Sequence, residues 1–319
     1  GVPGGTVVPG VPGGNGAPGL GTSPPAGGLD GALYDDQAFL RTVVDRSEAV
    51  VGEQVTVTVY LYVRGSLTSM PMASHEPTTD GFWVHDLLGP TYSSEPTVQV
   101  VGSTRFSVYP LRRFAAFPLH AGELSIGAMT INIPRGSPLD IFMGTSTPDL
   151  ERTGVAVSLT ARELPAEGRP ADRTEAHVGT LTLSATLDRD QVPTGDAVTL
   201  TLTATGTGML SGLDPGDLVL DGVRVLTPST DGETTAPGDR VSGTRRFVWL
   251  LVPEREGTFV IPAFDVPVFD PGTRTWSLAA SAPLTLVAAG NPVAAAGGAE
   301  EPDAPEIADG DEAPPEYGP

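Results

Sequence analysis

A chain of 319 residues is long enough for two domains with separate cores. Its formal charge is −21 and all 18 cationic residues are arginine. That balance argues against a nucleic-acid or anionic-membrane surface, and the missing lysine removes Schiff-base and Walker-A chemistry. Cysteine is absent, which excludes disulfides, thiol nucleophiles and Cys-ligated zinc and leaves the redox compartment open.

In chain order, residues 1–33 are low-complexity Gly/Pro sequence with "GVPGG" repeated. Such a segment cannot bury enough apolar surface to offset its ordering entropy, so a disordered linker is expected. Then comes "VDRSEAVVGEQVTVTVYLYVRG" (Val44 to Gly65), which aligns without a gap on "LDRDQVPTGDAVTLTLTATGTG" (Leu187 to Gly208). Asp45-Arg46 falls on Asp188-Arg189, and Gly52-Glu53 falls on Gly195-Asp196. Each copy reads as a strand, a turn with glycine at positive φ, and a longer strand. In the long strand Val55, Val57, Val59, Leu61 and Val63 alternate with Thr56, Thr58, Tyr60 and Tyr62, predicting one buried and one wet face. The second copy repeats this with Val198, Leu200, Leu202 and Ala204 inward.

The repeat continues through "RRFAAFPLHAGELSIGA" (Arg112 to Ala128) and "RRFVWLLVPEREGTFVIPA" (Arg245 to Ala263), the second two residues longer. Pro118-x-x-x-Gly122 and Pro253-x-x-x-Gly257 predict strand-to-strand corners. The alignment puts Arg112-Arg113 and Arg245-Arg246 at equivalent strand positions, one arginine of each pair lying over the sandwich and the other exposed. In "FDPGTRTW", Pro271 and Gly272 predict a type II turn with glycine at positive φ. The expected fold is all-β: two tandem immunoglobulin-like β-sandwich domains, residues 34–163 and 177–288, joined by a linker at 164–176. Residues 289–319 form a second expected disordered tail, Pro/Ala-rich and acidic. "LTLVAAGNPVAAAGG" is broken by Gly290 and Pro292, too early for a transmembrane helix.

Chemistry is sparse. His75, His85, His120 and His177 are scattered with no ligand spacing, and no nucleophile elbow occurs. Gly206 to Gly212 lacks dinucleotide spacing and reads as a strand end or bulge. Asp188/Asp190 and Asp214/Asp217 sit in turn-rich sequence and read as turn chemistry rather than a calcium site. No catalytic, metal or cofactor-binding residue is expected, and the chain is not expected to be an enzyme. "DGFWVHDLLGP" is the densest aromatic loop segment, where Phe82 and Trp83 cap the first core and mark a candidate partner contact. Trp249 and Trp276 lie in strand-like runs and are expected in the core.

The second half resembles the BatD oxygen-tolerance family of the bacterial envelope. The similarity is carried by "LTARELPAEGRP", "VGTLTLSATLDRDQVPTGDAVTLTLTATGTG" and "GTRRFVWLLVPEREGTFVIPAFDVPVFDPGTRTW". The first half is similar through "FLRTVVDRSEAVVGEQVTVTVYLYVRG", "TTDGFWVHDL" and "FPLHAGELSIG". Met209 stands where the family usually has asparagine after Gly208. The resemblance implies a non-enzymatic ectodomain of a membrane-anchored, periplasmic protein acting in aerotolerance or stress. It further implies an export signal before Gly1, a membrane helix after Pro319, and partners among envelope proteins, including von Willebrand A proteins of a MoxR-linked system. An adhesin-like or carbohydrate-binding β-sandwich is the alternative.

Overall fold

The computed structural model describes residues 37–67, 69–88, 96–135, 143, 148–170 and 176–290. The expected N-terminal linker lies outside them, as does the acidic tail beyond Gly290. The architecture is all-β, two tandem sandwiches, and the described residues carry eleven strands in each half.

The first half holds β1 (Ala38–Val44), β2 (Glu48–Val50), β3 (Val55–Val63), β4 (Met72–His75), β5 (Phe82–Asp86) and β6 (Thr97–Val101). It continues with β7 (Thr104–Pro118), β8 (Gly122–Ile126), β9 (Thr130–Ile133), β10 (Leu150–Thr153) and β11 (Val157–Arg162). The second half holds β12 (His177–Val178), β13 (Thr180–Leu187), β14 (Gln191–Pro193), β15 (Val198–Thr207), β16 (Val223–Val225) and β17 (Ser229–Thr235). Then come β18 (Ser242–Pro253), β19 (Gly257–Ile261), β20 (Asp265–Asp270), β21 (Thr275–Ala280) and β22 (Leu284–Ala289).

The large sheets match strand for strand: β1-β3-β7-β5 with β6 also on β7, and β13-β15-β18-β16 with β17 also on β18. Facing them, β2-β11-β8 matches β14-β22-β19, and in each the short first strand runs parallel to its neighbour. β10-β9-β4 and β12-β20-β21 complete the two halves.

The repeated residues have repeated jobs. Asp45 and Asp188 close the ladder where β1 and β13 end, their carboxylates accepting the Thr56 and Thr199 amides at 2.9 and 2.8 Å. Their own amides donate to the Thr56 and Thr199 carbonyls at 3.0 Å. Gly52 and Gly195 take φ of 81° and 92°, a region costly for any residue with a Cβ. Their amides donate to Pro118 O and Pro253 O at 2.8 and 2.9 Å, which ties each turn to its Pro-x-x-x-Gly corner. The corners work as read: β7 and β18 end at the proline, and β8 and β19 start at the glycine in the opposite sheet.

The second core gathers Val198, Leu200, Leu202, Trp249, Leu251 and Phe259 around Ile261 and Leu286. The first is divided between Val55, Val57, Phe114 and Ile126 at the corner end and Leu40, Leu61, Met129 and Ile131 at the far end.

Several expectations are corrected. β3 buries both faces: Thr58, Tyr60 and Tyr62 are all buried. Tyr62 stacks on Phe39 with ring centroids 4.5 Å apart, and Phe106 packs edge-on to both. The arginine pairs are not equivalent. Arg113 lies opposite Thr58, whereas Val248 lies opposite the matching Thr201, a slip of two residues. A two-residue slip keeps every side chain on its face, so alternation alone could not expose it. The "FWVHD" segment is strand β5 rather than a loop. At Pro271-Gly272 the positive φ belongs to Arg274 (57°) and not to Gly272. Asp270 Oδ1 accepts the Gly272 amide at 2.8 Å, and the reversal is a four-residue loop between paired Asp270 and Thr275. Trp249 is buried in the core, but Trp276 is only half-buried and serves the linker.

Candidate functional site: a seam between the sandwiches

The β6–β7 hairpin turns through two residues, Gly102 and Ser103, between paired Val101 and Thr104. Its counterpart, the β17–β18 hairpin, turns through six, Ala236 to Val241, between paired Thr235 and Ser242. The longer loop includes a short 3-10 turn, Pro237–Asp239, and holds Asp239 at φ 65°. It reaches the outer face of the first large sheet.

Val241 is fully buried in a cluster with Ala115 and Phe117 of β7, flanked by Trp83, Leu87, Met209 and Ala236. Gln54 grips the loop at two points: its Nε2 donates to Asp239 O at 2.6 Å and its Oε1 accepts the Val241 amide at 2.9 Å. Arg113 donates to the Asp239 carboxylate, a charge-assisted bond between side chains that are both largely shielded. The Val241 carbonyl accepts the Gly208 amide at 2.9 Å, which fastens the loop to the end of β15.

A second contact lies beside it. Val50 of the first sandwich packs with Val178 and Phe269 of the second, against Leu164 and Trp276. Trp276 Nε1 donates to Pro165 O at 3.0 Å, and the Arg169 guanidinium sits 5.6 Å from the Trp276 ring centroid. The first residues of the linker are therefore pinned to the second sandwich.

His177 is buried next to these contacts. Its Nε2 donates to Thr207 O at 2.7 Å. Burial pushes its pKa below the ordinary imidazole value, and hydrogen bonds to the backbone of Thr207 and Thr180 only partly oppose that. Glycine is required at position 208, because a Cβ there would lie 2.2 Å from Val178 O and φ is 100°. Between the contacts lies a cavity of about 400 Å³ lined from both sandwiches and the linker.

The other sequence candidates are dispersed. Phe82 belongs to the first core, while Trp83 faces the seam with its ring 5.3 Å from Phe117 and stacked on His85 at 6.1 Å. Both already have neighbours within the chain. His75 and His120 are exposed. Asp214 makes a local turn, accepting the Gly216 amide at 2.9 Å. Gly206 and Thr207 end β15 as the spacing implied. Among the described residues no three His, Asp or Glu groups converge as a metal site would require. Gln54, Asp239 and Val241 were not singled out in the sequence. The available signal was a lone valine closing a polar, turn-rich loop in only one copy of the repeat.

Residues 185–286 match the family model BatD, a BatD DUF11 like domain. Over these residues the second sandwich is similar to a BatD domain. The matched span contains the docking loop and the Trp249 core, whereas His177 and Gln54 lie outside it. No curated protein sequence matches the chain. Among solved structures, the adhesin InvE of Yersinia pseudotuberculosis is similar at 11% identity and a TM-score of 0.21, over 82% of this chain and 61% of the adhesin. The chain thus spans less than two thirds of that adhesin's length. The type II cohesin dyad from the adaptor ScaA scaffoldin of Acetivibrio cellulolyticus is similar at 9% identity and a TM-score of 0.17, over 69% of this chain and 86% of the dyad.

Proposed function

We propose that this chain is a non-enzymatic ectodomain of a membrane-anchored protein of the bacterial envelope, working through contacts with other envelope proteins. The observation that carries this reading is the match of residues 185–286 to the BatD family model. The seam supports it, because a docked pair of sandwiches presents one fixed surface to a partner instead of two independently moving ones. A periplasmic setting, a role in aerotolerance or stress, and partners of the von Willebrand A type belong to the same proposal and rest on the family resemblance. Proximity labelling by the full-length protein in its own cells, with fractionation of the envelope, tests it. Enrichment of extracytoplasmic domains of membrane proteins is the expected outcome. Recovery of the protein in the cytosol, or labelling no different from an unrelated envelope protein, would refute it.

A further inference from the structure

A cleft of about 610 Å³ opens within the second sandwich, a size that suits a small organic ligand. It is lined by the loop joining β15 to β16, by the connection from β16 to β17, and by Arg245, Phe247 and Trp249 of β18. Arg245 is anchored there. Its Nη1 donates to Leu210 O and Ser211 O, and its guanidinium sits 5.3 Å from the Phe247 ring centroid. Its Nη2 and its buried Nε have no acceptor among the described residues. Buried donors are almost always satisfied, so an orphan beside a cleft points to an acceptor from outside the chain. Asp217 lines the same cleft, exposed and without a side-chain hydrogen bond among the described residues. Asp214 also lines it, holding the Gly216 amide with Oδ1 at 2.9 Å. Leu218 and Val219 add aliphatic surface, and 85% of Val219 is exposed.

We infer that this cleft binds a pyranose residue of a glycan. The occupant must satisfy a guanidinium with donors to spare and a carboxylate with lone pairs to spare. An anionic ligand would meet Arg245 but face Asp214 and Asp217, and an ammonium has nothing to accept from Arg245. A hydroxyl does both, accepting from Arg245 while it donates to Asp217. A peptide amide also offers both, but as one donor and one acceptor per residue on opposite sides of the chain. A sugar ring offers both at every hydroxyl and adds a C–H face, which would pack on Leu218 and Val219. Thr227 and Thr230 line the cleft as well and supply two further hydroxyls. The cleft lies within one sandwich, so binding needs neither the docked seam nor the protein contacts proposed above.

NMR titration of the purified chain tests it, with the methyl glycosides of glucose, galactose, mannose and N-acetylglucosamine as probes. At least one should shift the amides of Gly216, Asp217 and Thr230 and the indole N–H of Trp249. Three controls separate the alternatives: cyclohexanol for apolar filling, cyclohexanecarboxylate for anion capture and acetylglycinamide for a peptide. Each should bind at least about tenfold more weakly than the best sugar. Asp217→Ala changes an exposed side chain with no hydrogen bond of its own, so the fold should survive. It should weaken the best sugar about tenfold, the size of one charge-assisted hydrogen bond. Arg245→Met keeps an apolar stem over Phe247 and should abolish the shifts; Asp217→Ala keeps the test decisive if that variant disturbs the loop at Leu210 and Ser211. No sugar shifting these residues, a control binding as tightly as the best sugar, or unaltered affinity in Asp217→Ala would overturn the inference.

Discussion

β3 and β15 are the same strand of the same repeat, yet they have different surroundings. β15 buries Val198, Leu200, Leu202 and Ala204 and leaves its threonines partly or fully open. β3 buries the matching valines and leucine as well as Thr58, Tyr60 and Tyr62 on the other face. Near its corner, that sheet's outer face is closed by a loop from the second sandwich; farther along, an aromatic cluster fills it. The matching outer face of the second sandwich shows Leu226 and Leu250 to solvent. Alternation therefore records which residues share a face. What covers a face depends on tertiary contacts such as the Ala236–Val241 loop, and one copy has four more loop residues than the other.

The comparison can be broken first at positions where the two copies should behave alike. Phe114 lies opposite Val57 and Trp249 opposite the matching Leu200, each inside its core. Phe114→Ala and Trp249→Ala should each cost about 3–5 kcal/mol in denaturant unfolding, from lost burial plus the cavity left behind. A cost below about 1 kcal/mol at either would show that the cores are not equivalent.

The next test uses positions where the copies should differ. Tyr62→Ala removes a buried, stacked ring and should cost about 3 kcal/mol. Its counterpart Thr205→Ala, at an exposed position, should stay within about 0.5 kcal/mol. Equal effects would mean that the outer face of β3 is as open as that of β15. A smaller loss is expected at the seam. Gln54→Ala removes both grips on the loop and should cost about 1–3 kcal/mol, because the Val241 amide loses its acceptor. The matching residue, Ala197, is exposed, and Ala197→Gln should leave stability unchanged in the same unfolding experiment.

The smallest effect concerns pH and is confined to the second sandwich. His177 has a folded pKa lowered by burial, so between that value and about 6.5 the unfolded chain binds the proton and the folded chain does not. Stability contributed there is fully present above about 6.5 and declines as pH falls through the window toward the folded pKa. His177→Gln, which keeps a donor for Thr207 O, should flatten that part of the stability profile. An identical profile for variant and wild type would remove His177 from the account.

Much of the fold was legible because it is written in local chemistry. Turn glycines, ladder-closing aspartates and the proline-to-glycine corners each need a specific residue at a specific backbone conformation, and the repeat shows each twice. The readings that failed depend on non-local facts. Trp276 looked like core because its strand alternates, but its indole donates to the linker. The arginine pairs looked equivalent because identical letters align, while pairing with β3 and β15 sets the true register two residues away. The seam was least legible. Gln54 and Val241 are unremarkable in their own segments and are brought together only by the packing of one sandwich on the other.

The central claim is that the Ala236–Val241 loop fixes the second sandwich on the first. Residual dipolar couplings from the weakly aligned chain test it most directly. A single alignment tensor, of the same magnitude and orientation, should fit the amides of β3 and β7 together with those of β15 and β18, and Val241→Asp should split it in two. Two tensors of unlike magnitude in the wild-type chain would contradict the docked seam.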